Sequence, residues 1–259
     1  MDYMAHIEAT IPDSYPGSEP WSDDFGSFGS YAAADGLGSS IMRLRVPAAM
    51  LSSWLKAHWP RDRTSPFVWV SPRETPGLVP WLLDHGYTLA ERYAVLVHDL
   101  PISGPKTADA PSSLPPVRLV RTLAALSQVN TLDHLAFPED PLLSREALRR
   151  ELRRLRAPAR CLYYIEGTSG CARAAGGLNL TDEWAYLWGG ETHPDHRHQG
   201  LYRHLVMVRL DAATHHGCRF AAVRANCETS APILLRLGFR KVEAQQVYRP
   251  PQAKSSNQT

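Results

Sequence analysis

An α/β (α+β) layer fold around a mixed central sheet is the architecture this chain predicts. Three observations predict it. From residue 117 onward, apolar runs with strand character alternate with amphipathic helical patterns, ending strand, helix, strand, helix, strand. A glycine-bearing turn, His193-Pro-Asp-His-Arg-His-Gln-Gly-Leu-Tyr-Arg-His-Leu205, joins an aromatic strand-like run to a helical one. A fainter strand–helix–strand pattern precedes both. With 259 residues, the chain is long enough for one large domain or two small ones. At 44% hydrophobic and 21% charged it has an ordinary globular composition, and a net charge of +2 carries no polyanion-binding signal. The N-terminus has no basic start followed by an apolar core, and no run is long and apolar enough to cross a bilayer. A cytoplasmic location and no membrane partner are therefore expected. Cys161, Cys171, Cys218 and Cys227 form no CxxC pair, so four reduced, mostly buried thiols are expected.

Taken in order, residues 1–40 are rich in Gly, Ser, Asp and Pro and show little periodicity, so a flexible lead or irregular structure is expected there. Pro47–His58 reads as a helix, with Met50, Leu51, Trp54 and Leu55 on one face. Phe67–Val70 reads as a short strand. Glu74–His85 reads as a helix stopped by Gly86, and Tyr93–Leu100 as a strand. Pro101–Pro116 holds five prolines among small polar residues and reads as a stiff, solvated linker. The expected domains are thus 1–105, a linker over 101–116, a larger domain over 117–250 and a flexible tail at 251–259. Within the larger domain, Val117–Val120 is a strand and Leu123–Ala136 a helix. Ser144–Arg156 is an amphipathic helix capped by Ser144, with Leu148, Leu152 and Leu155 as its stripe. Arg160–Ile165, Ala174–Leu180 and Trp184–Gly189 are strands. Leu201–His215 is a helix, Phe220–Arg224 a strand, Ser230–Leu237 a helix closed by Gly238, and Arg240–Tyr248 a final strand. An internal repeat links Phe67-Val-Trp-Val and Pro80-Trp-Leu-Leu-Asp-His-Gly-Tyr87 to Phe220-Ala-Ala-Val and Pro232-Ile-Leu-Leu-Arg-Leu-Gly-Phe239, which points to duplication of one fold.

The turn carries the chemistry. Gly200 lets the backbone approach a ligand without a Cβ in the way. The N–H groups of residues 198–203 can then converge on a phosphate at a helix start, with Arg197 and Arg203 adding charge. His193, His196 and His198 are spaced closely enough to consider zinc, but a phosphate loop with incidental histidines is the preferred reading and no metal is expected. Arg145–Arg160 contains seven arginines. They can be read as a nucleic-acid surface, but the leucine stripe and the lack of interleaved aromatics favour a solvated helix face, and nucleic acid is not an expected partner.

Three features together resemble the GNAT superfamily of acyl-CoA N-acyltransferases across about residues 117–250. They are the strand exit Thr192-His193-Pro194, the loop Arg197-His198-Gln199-Gly200-Leu201-Tyr202, and the segment from Asn226 to Leu237-Gly238-Phe239-Arg240. The resemblance implies a GNAT-like mixed central sheet flanked by helices. Ahead of it stands a smaller, partial GNAT-like domain, a degenerate N-terminal copy in a tandem arrangement. It implies acetyl-CoA as co-substrate, held by Thr192, His193, Arg197, His198, Gln199, Gly200, Leu201, Tyr202, Arg203 and Asn226. Backbone groups near Gly190, Glu191 and Thr192 would bind the pantetheine arm, and Gly189-Gly190 suggests a bulge or a close ligand approach. A primary amine of a small molecule or peptide would attack the thioester directly. Glu191 is the first candidate base, or else a solvated strand-end carboxylate, with Glu228 second. Tyr186 and Trp188 either line an acceptor pocket or are core. Ser230 is a candidate acid or pantetheine contact, and otherwise a helix cap. Leu234 stands where the family often has the tyrosine that protonates the thiolate. A catalytically inactive CoA-binding or interaction protein on the same fold is therefore the alternative function. The expected assembly is a monomer or homodimer.

Overall fold

The computed structural model describes residues 19–23, 26–33, 36–44, 46–58, 67–71, 76–101, 114–138, 142–156, 159–167 and 170–251. In chain order these form β1 (Glu19–Asp23), β2 (Gly26–Ala33), β3 (Gly36–Leu44), a 3-10 turn (Ala48–Met50) running into α1 (Leu51–His58), β4 (Phe67–Val70), α2 (Leu78–Asp84) and β5 (Thr88–Asp99). There follow β6 (Val117–Leu119), α3 (Leu123–Ala136), α4 (Arg145–Arg154), β7 (Arg160–Ile165), β8 (Ala174–Leu180) and β9 (Trp184–Thr192). A 3-10 turn (Pro194–His196), α5 (Leu201–His216), β10 (Phe220–Asn226), α6 (Ser230–Arg236) and β11 (Arg240–Arg249) complete the order. Most of the proline-rich segment, the tail beyond 251 and the start of the helix expected at Glu74 lie outside the described residues.

Two compact units form. The first takes in the described residues of Val95–Ala225 and Thr229–Val242; the second takes in those of 12–94, Asn226–Glu228 and 243–259.

In the second unit β1, β2 and β3 make an antiparallel meander, with Glu19 opposite Ser30 and Tyr31 opposite Gly38. Of residues 1–40, expected as a flexible lead or irregular structure, 19–23, 26–33 and 36–40 form strands, and the rest lie outside the described residues. β2 and β3 are written largely in Gly, Ser and Ala and β1 is Glu-Pro-Trp-Ser-Asp, so no sustained alternating apolar signal marks them. β3 pairs parallel with β4, and β4 pairs antiparallel with β11 (Tyr248 opposite Val68). The core of this unit gathers Val46, Leu51, Trp54, Val68, Val70, Leu78, Leu82, Tyr87 and Tyr248. Met50, placed with Leu51 and Trp54 from its spacing, is instead 48% exposed, because it sits in the 3-10 turn, whose tighter winding rotates it off the helix face.

In the first unit the sheet runs β6-β7-β8-β9-β10 and then the Val95–Asp99 half of β5. Pairing is antiparallel from β6 to β9 and parallel between β9 and β10, the mixed sheet that the alternation predicts. α3 and α4 begin on side-chain caps, Thr122 Oγ1 to Ala125 N (3.1 Å) and Ser144 Oγ to Ala147 N (3.2 Å). They cover one face through Leu126, Val129, Leu132, Leu148 and Leu155. α5 covers the other. The alternation of the strand shows this: a Cβ on Gly177 would strike the Trp188 ring on the α3 side, whereas one on Gly176 would strike the Arg209 guanidinium of α5.

Arg209 is 1% exposed. Its Nε donates to Leu205 O (3.1 Å), and its Nη1 donates to Gly177 O (3.1 Å) and Trp188 O (3.3 Å). Burial lowers its pKa to about 10, which still leaves it charged at neutral pH. It pins α5 to the sheet where β8 and β9 change register. Arg209→Met keeps the stem but removes the side-chain donor to the Leu205, Gly177 and Trp188 carbonyls. The expected loss is about 2 kcal/mol, read by denaturant unfolding.

The internal repeat is visible as geometry within each unit. α2 closes with Tyr87 N donating to Leu82 O (2.9 Å) over Gly86 at φ +80°. α6 closes with Phe239 N donating to Leu234 O (3.1 Å) over Gly238 at φ +91°. Leu82 and Leu234 hold equivalent places and are both fully buried. Among the cysteines only Cys218 is fully buried; Cys161, Cys171 and Cys227 are half-buried, since each lies at a strand edge or turn rather than mid-sheet.

Candidate active site

β9 and β10 pair only from Trp184 opposite Phe220 to Leu187 opposite Val223. Beyond that point Trp188–Thr192 has no partner on β10, so the two parallel strands splay. The cause lies on the other edge of β9. Trp188 stands opposite Gly177 and Glu191 opposite Ala175, so Gly189 and Gly190 together face Gly176 alone. This is a β-bulge, the irregularity expected of the glycine pair, with Gly189 at φ +53°. Extra twist at the bulge carries the end of β9 away from β10 and exposes its backbone.

The chain then enters the turn. His193 Nδ1 accepts from Asp195 N (3.2 Å) and begins the 3-10 turn Pro194–His196. His198 (φ +63°) and Gly200 (φ +78°) both adopt the left-handed conformation, which turns successive N–H groups to one side. Arg197, His198, Gln199, Gly200 and Arg203 are exposed. Gly200 supplies no side-chain cap to the sixteen-residue α5, and a Cβ there would meet nothing within 4 Å. The first N–H groups of a long helix thus face open space beside two arginines, which fits a diphosphate. Leu201 is buried, so only its backbone can serve a ligand.

Tyr202 points back toward the bulge. A Cβ on Gly190 would lie 2.8 Å from its Cε2 and 3.5 Å from its hydroxyl oxygen. Its phenol shares a side-chain hydrogen bond with Ser230, and burial raises its pKa against the opposing influence of Arg209 and Ser230. Ser230 is not the cap of α6: Thr229 holds that place, and one position further on Ser230 is free to face Tyr202. Thr192 Oγ1 is buried without a hydrogen-bond partner.

On the α3 side of the splay, Glu191 is 7% exposed. Its carboxyl shares a hydrogen bond with Asp133 of α3. Burial, and then the charge of Asp133, push its pKa up to about 10. Trp188 is held on the same side by Asn179 (Nε1 to Oδ1, 3.0 Å) and by the Arg160 guanidinium, 4.5 Å from its ring centroid. Tyr186 packs into the core with Val95, Val97, Phe220 and Ala222. Asn226 and Glu228 belong to the second unit, where Asn226 Nδ2 donates to Glu91 Oε2 (3.0 Å) and Asn226 Oδ1 accepts from Glu228 N (2.9 Å). The His193 and His196 rings lie tilted to one another, with centroids 5.3 Å apart. No group of three or more His, Cys, Asp or Glu able to hold a metal occurs among the described residues.

Sequence reading missed Asp133 and Arg209. Asp133 meets Glu191 only through the packing of α3 on β9, for which no local pattern exists. Arg209 did leave a signal: it follows Leu201 and Leu205 at intervals of four, a charge on the buried stripe of its helix.

Residues 126–239 match the model of the acetyltransferase (GNAT) family. The chain is similar to a GCN5-related N-acetyltransferase from Kribbella flavida, with TM-score 0.58 and 16% identity over 98% of this chain and 95% of that one. It is similar to a second GCN5-related N-acetyltransferase, from Sphaerobacter thermophilus, with TM-score 0.56 and 16% identity over 90% and 79% of the two chains. A tandem GNAT protein from the clavulanic acid biosynthesis pathway aligns with TM-score 0.59 and 17% identity over 90% of this chain and 83% of that one. At these identities the likeness is one of fold. No curated protein matches the chain.

Proposed function

We propose, from the premise that residues 126–239 form an acetyltransferase domain of the GNAT family, that this chain transfers an acetyl group from acetyl-CoA to a primary amine of a small molecule or peptide. The observation that carries the reading is the joining of two half-sites by one splay: the phosphate-fitting turn after β9 on the α5 side, and the buried Glu191 on the α3 side. Acetyl-CoA supplies an activated acyl carbon and a thiol leaving group. The N–H groups of 198–203, with Arg197 and Arg203, hold the diphosphate. The unpaired backbone of Trp188–Thr192 binds an extended arm as a strand would and presents N–H donors to a developing oxyanion. Glu191 takes a proton from the attacking nitrogen once it is ionised, and its raised pKa makes that carboxylate the stronger base, so the rate is expected to climb with pH toward about 10. Ser230 and Tyr202 form the hydroxyl pair at the opposite wall, where a proton can be returned to sulfur. Metal plays no part in this reading. The tandem arrangement, with domain 117–250 as the catalytic copy, a cytoplasmic location and a monomer or homodimer are proposed with it.

Leu234, fully buried at the place of the repeat's Leu82, favours the second reading, a CoA-binding protein without chemistry. Thiol release on mixing the chain with acetyl-CoA and a panel of primary amines separates the two. Acyl transfer predicts amine-dependent release, with Tyr202→Phe slowing it about 10-fold or more. Calorimetric binding of acetyl-CoA without release under any amine supports the second reading instead.

A further inference from the structure

Two glycines leave a notch on the α5 side of the sheet, and a charge fills it. A Cβ on Gly176 would lie 2.7 Å from Arg209 Nη1, and one on Gly190 would lie 3.6 Å from its Nη2. Tyr163 of β7, buried, stands directly opposite Gly176. Tyr202 borders the notch from α5, since the same Cβ on Gly190 would lie 2.8 Å from its Cε2. The hydrogen bonds of Arg209 go to the carbonyls of Leu205, Gly177 and Trp188. No carboxylate pairs with it among the described residues, and the groups that act on its charge are the Tyr202 and Tyr163 phenols. Tyr163 in turn bonds to Cys161 and feels Arg121. Holding three carbonyls needs donors, not a charge, and a buried cation without an acid beside it is costly. Such a cation favours any negative charge that forms within a few ångströms. The Tyr202 phenol is a place where one can form.

We propose that Arg209 is a positioning residue for the leaving-group step: its fixed charge lets Tyr202 give its proton to the departing sulfur and carry the resulting phenolate. Its bonds to Gly177 and Trp188 also keep the bulge, and the Gly190 face on which Tyr202 packs, in register. The inference rests on the acyl-transfer reading and deepens it by naming the group that sets the acid. When the C–S bond breaks, its electron pair stays on sulfur. The Tyr202 O–H breaks, its proton forms the S–H bond, and its electron pair remains as phenolate beside Arg209. A proton from solvent, passed through Ser230, restores the phenol. Burial opposes the phenolate, whereas Arg209 from α5 and Ser230 from α6 favour it.

Arg209→Gln and Arg209→Lys separate the charge from the hydrogen bonds. Glutamine keeps amide donors and loses the charge; lysine keeps both a donor and the charge. In each protein Tyr202 is replaced by 3,5-difluorotyrosine, whose fluorines make the phenol more acidic and report its titration by ¹⁹F NMR without acetyl-CoA or amine. The midpoint should rise by at least about one pH unit in Arg209→Gln and by less than about half a unit in Arg209→Lys. With tyrosine in place, Arg209→Gln should lower the turnover number for thiol release about 10-fold or more and leave the Michaelis constant for acetyl-CoA within about threefold, and Arg209→Lys should restore most of the rate. An unmoved midpoint in Arg209→Gln overturns the proposal, as does an equal rise in Arg209→Lys; Arg209 is then only the pin between α5 and the sheet. Thiol release that falls equally in both variants over unmoved midpoints overturns it and keeps acyl transfer. A midpoint that rises in Arg209→Gln alone, in a chain that releases no thiol with any amine, sinks acyl transfer and keeps the hold of Arg209 on the phenol.

Discussion

Glu191→Gln is expected to cut amine-dependent thiol release by about 10²–10³-fold while acetyl-CoA still binds. Glutamine keeps the length and can keep a hydrogen bond to Asp133, but it can neither accept a proton nor carry charge. The loss should fall on the turnover number. The same variant changes stability in a predictable sense. An unfolded glutamate gives up its proton near 4.5, whereas the folded chain holds it up to about 10. Between those limits the folded state binds one proton more than the unfolded state, so stability must fall as pH rises through the window. Melting temperature measured across that range should decline in the natural chain, and the slope should flatten in Glu191→Gln. An activity loss with an unchanged pH slope would mean that Glu191 is not the buried titrating group.

The second large effect belongs to the phosphate side. Gly200→Glu is expected to weaken acetyl-CoA binding at least about 100-fold, close to 2.7 kcal/mol, by calorimetry. Two causes add. The position requires φ +78°, which a Cβ disfavours by about 1–2 kcal/mol. The new carboxylate also enters the open space where the helix N–H groups would receive an anion. Gly200→Ala isolates the first cause, since no atom lies within 4 Å of the added Cβ, and should bind with an intermediate affinity. Equal affinity in all three proteins would place the diphosphate elsewhere.

Local physics made much of the fold legible. α3, β4, β7 and β8 begin and end where their periodicity and caps say, because each is a self-contained pattern of apolar positions between turn residues. The glycine-rich meander of β1–β3 was not legible, since backbone pairing builds a strand without an apolar signature. Strand ends ran further than expected: β9 continues through the glycine pair to Thr192, as a bulge lets a strand absorb residues that read as a stop. The phosphate turn could be read from Gly200 and its arginines. The meeting of Asp133 with Glu191, and of Tyr202 with Ser230, could not, because each joins residues far apart in sequence through packing of a helix on the sheet.

Hydrogen–deuterium exchange with and without acetyl-CoA tests the central claim most directly. If one splay joins the two half-sites, acetyl-CoA should slow exchange at both Trp188–Thr192 and Arg197–Arg203, and leave α4 unchanged as an internal control. Protection absent from both segments, or confined to residues outside them, would contradict it.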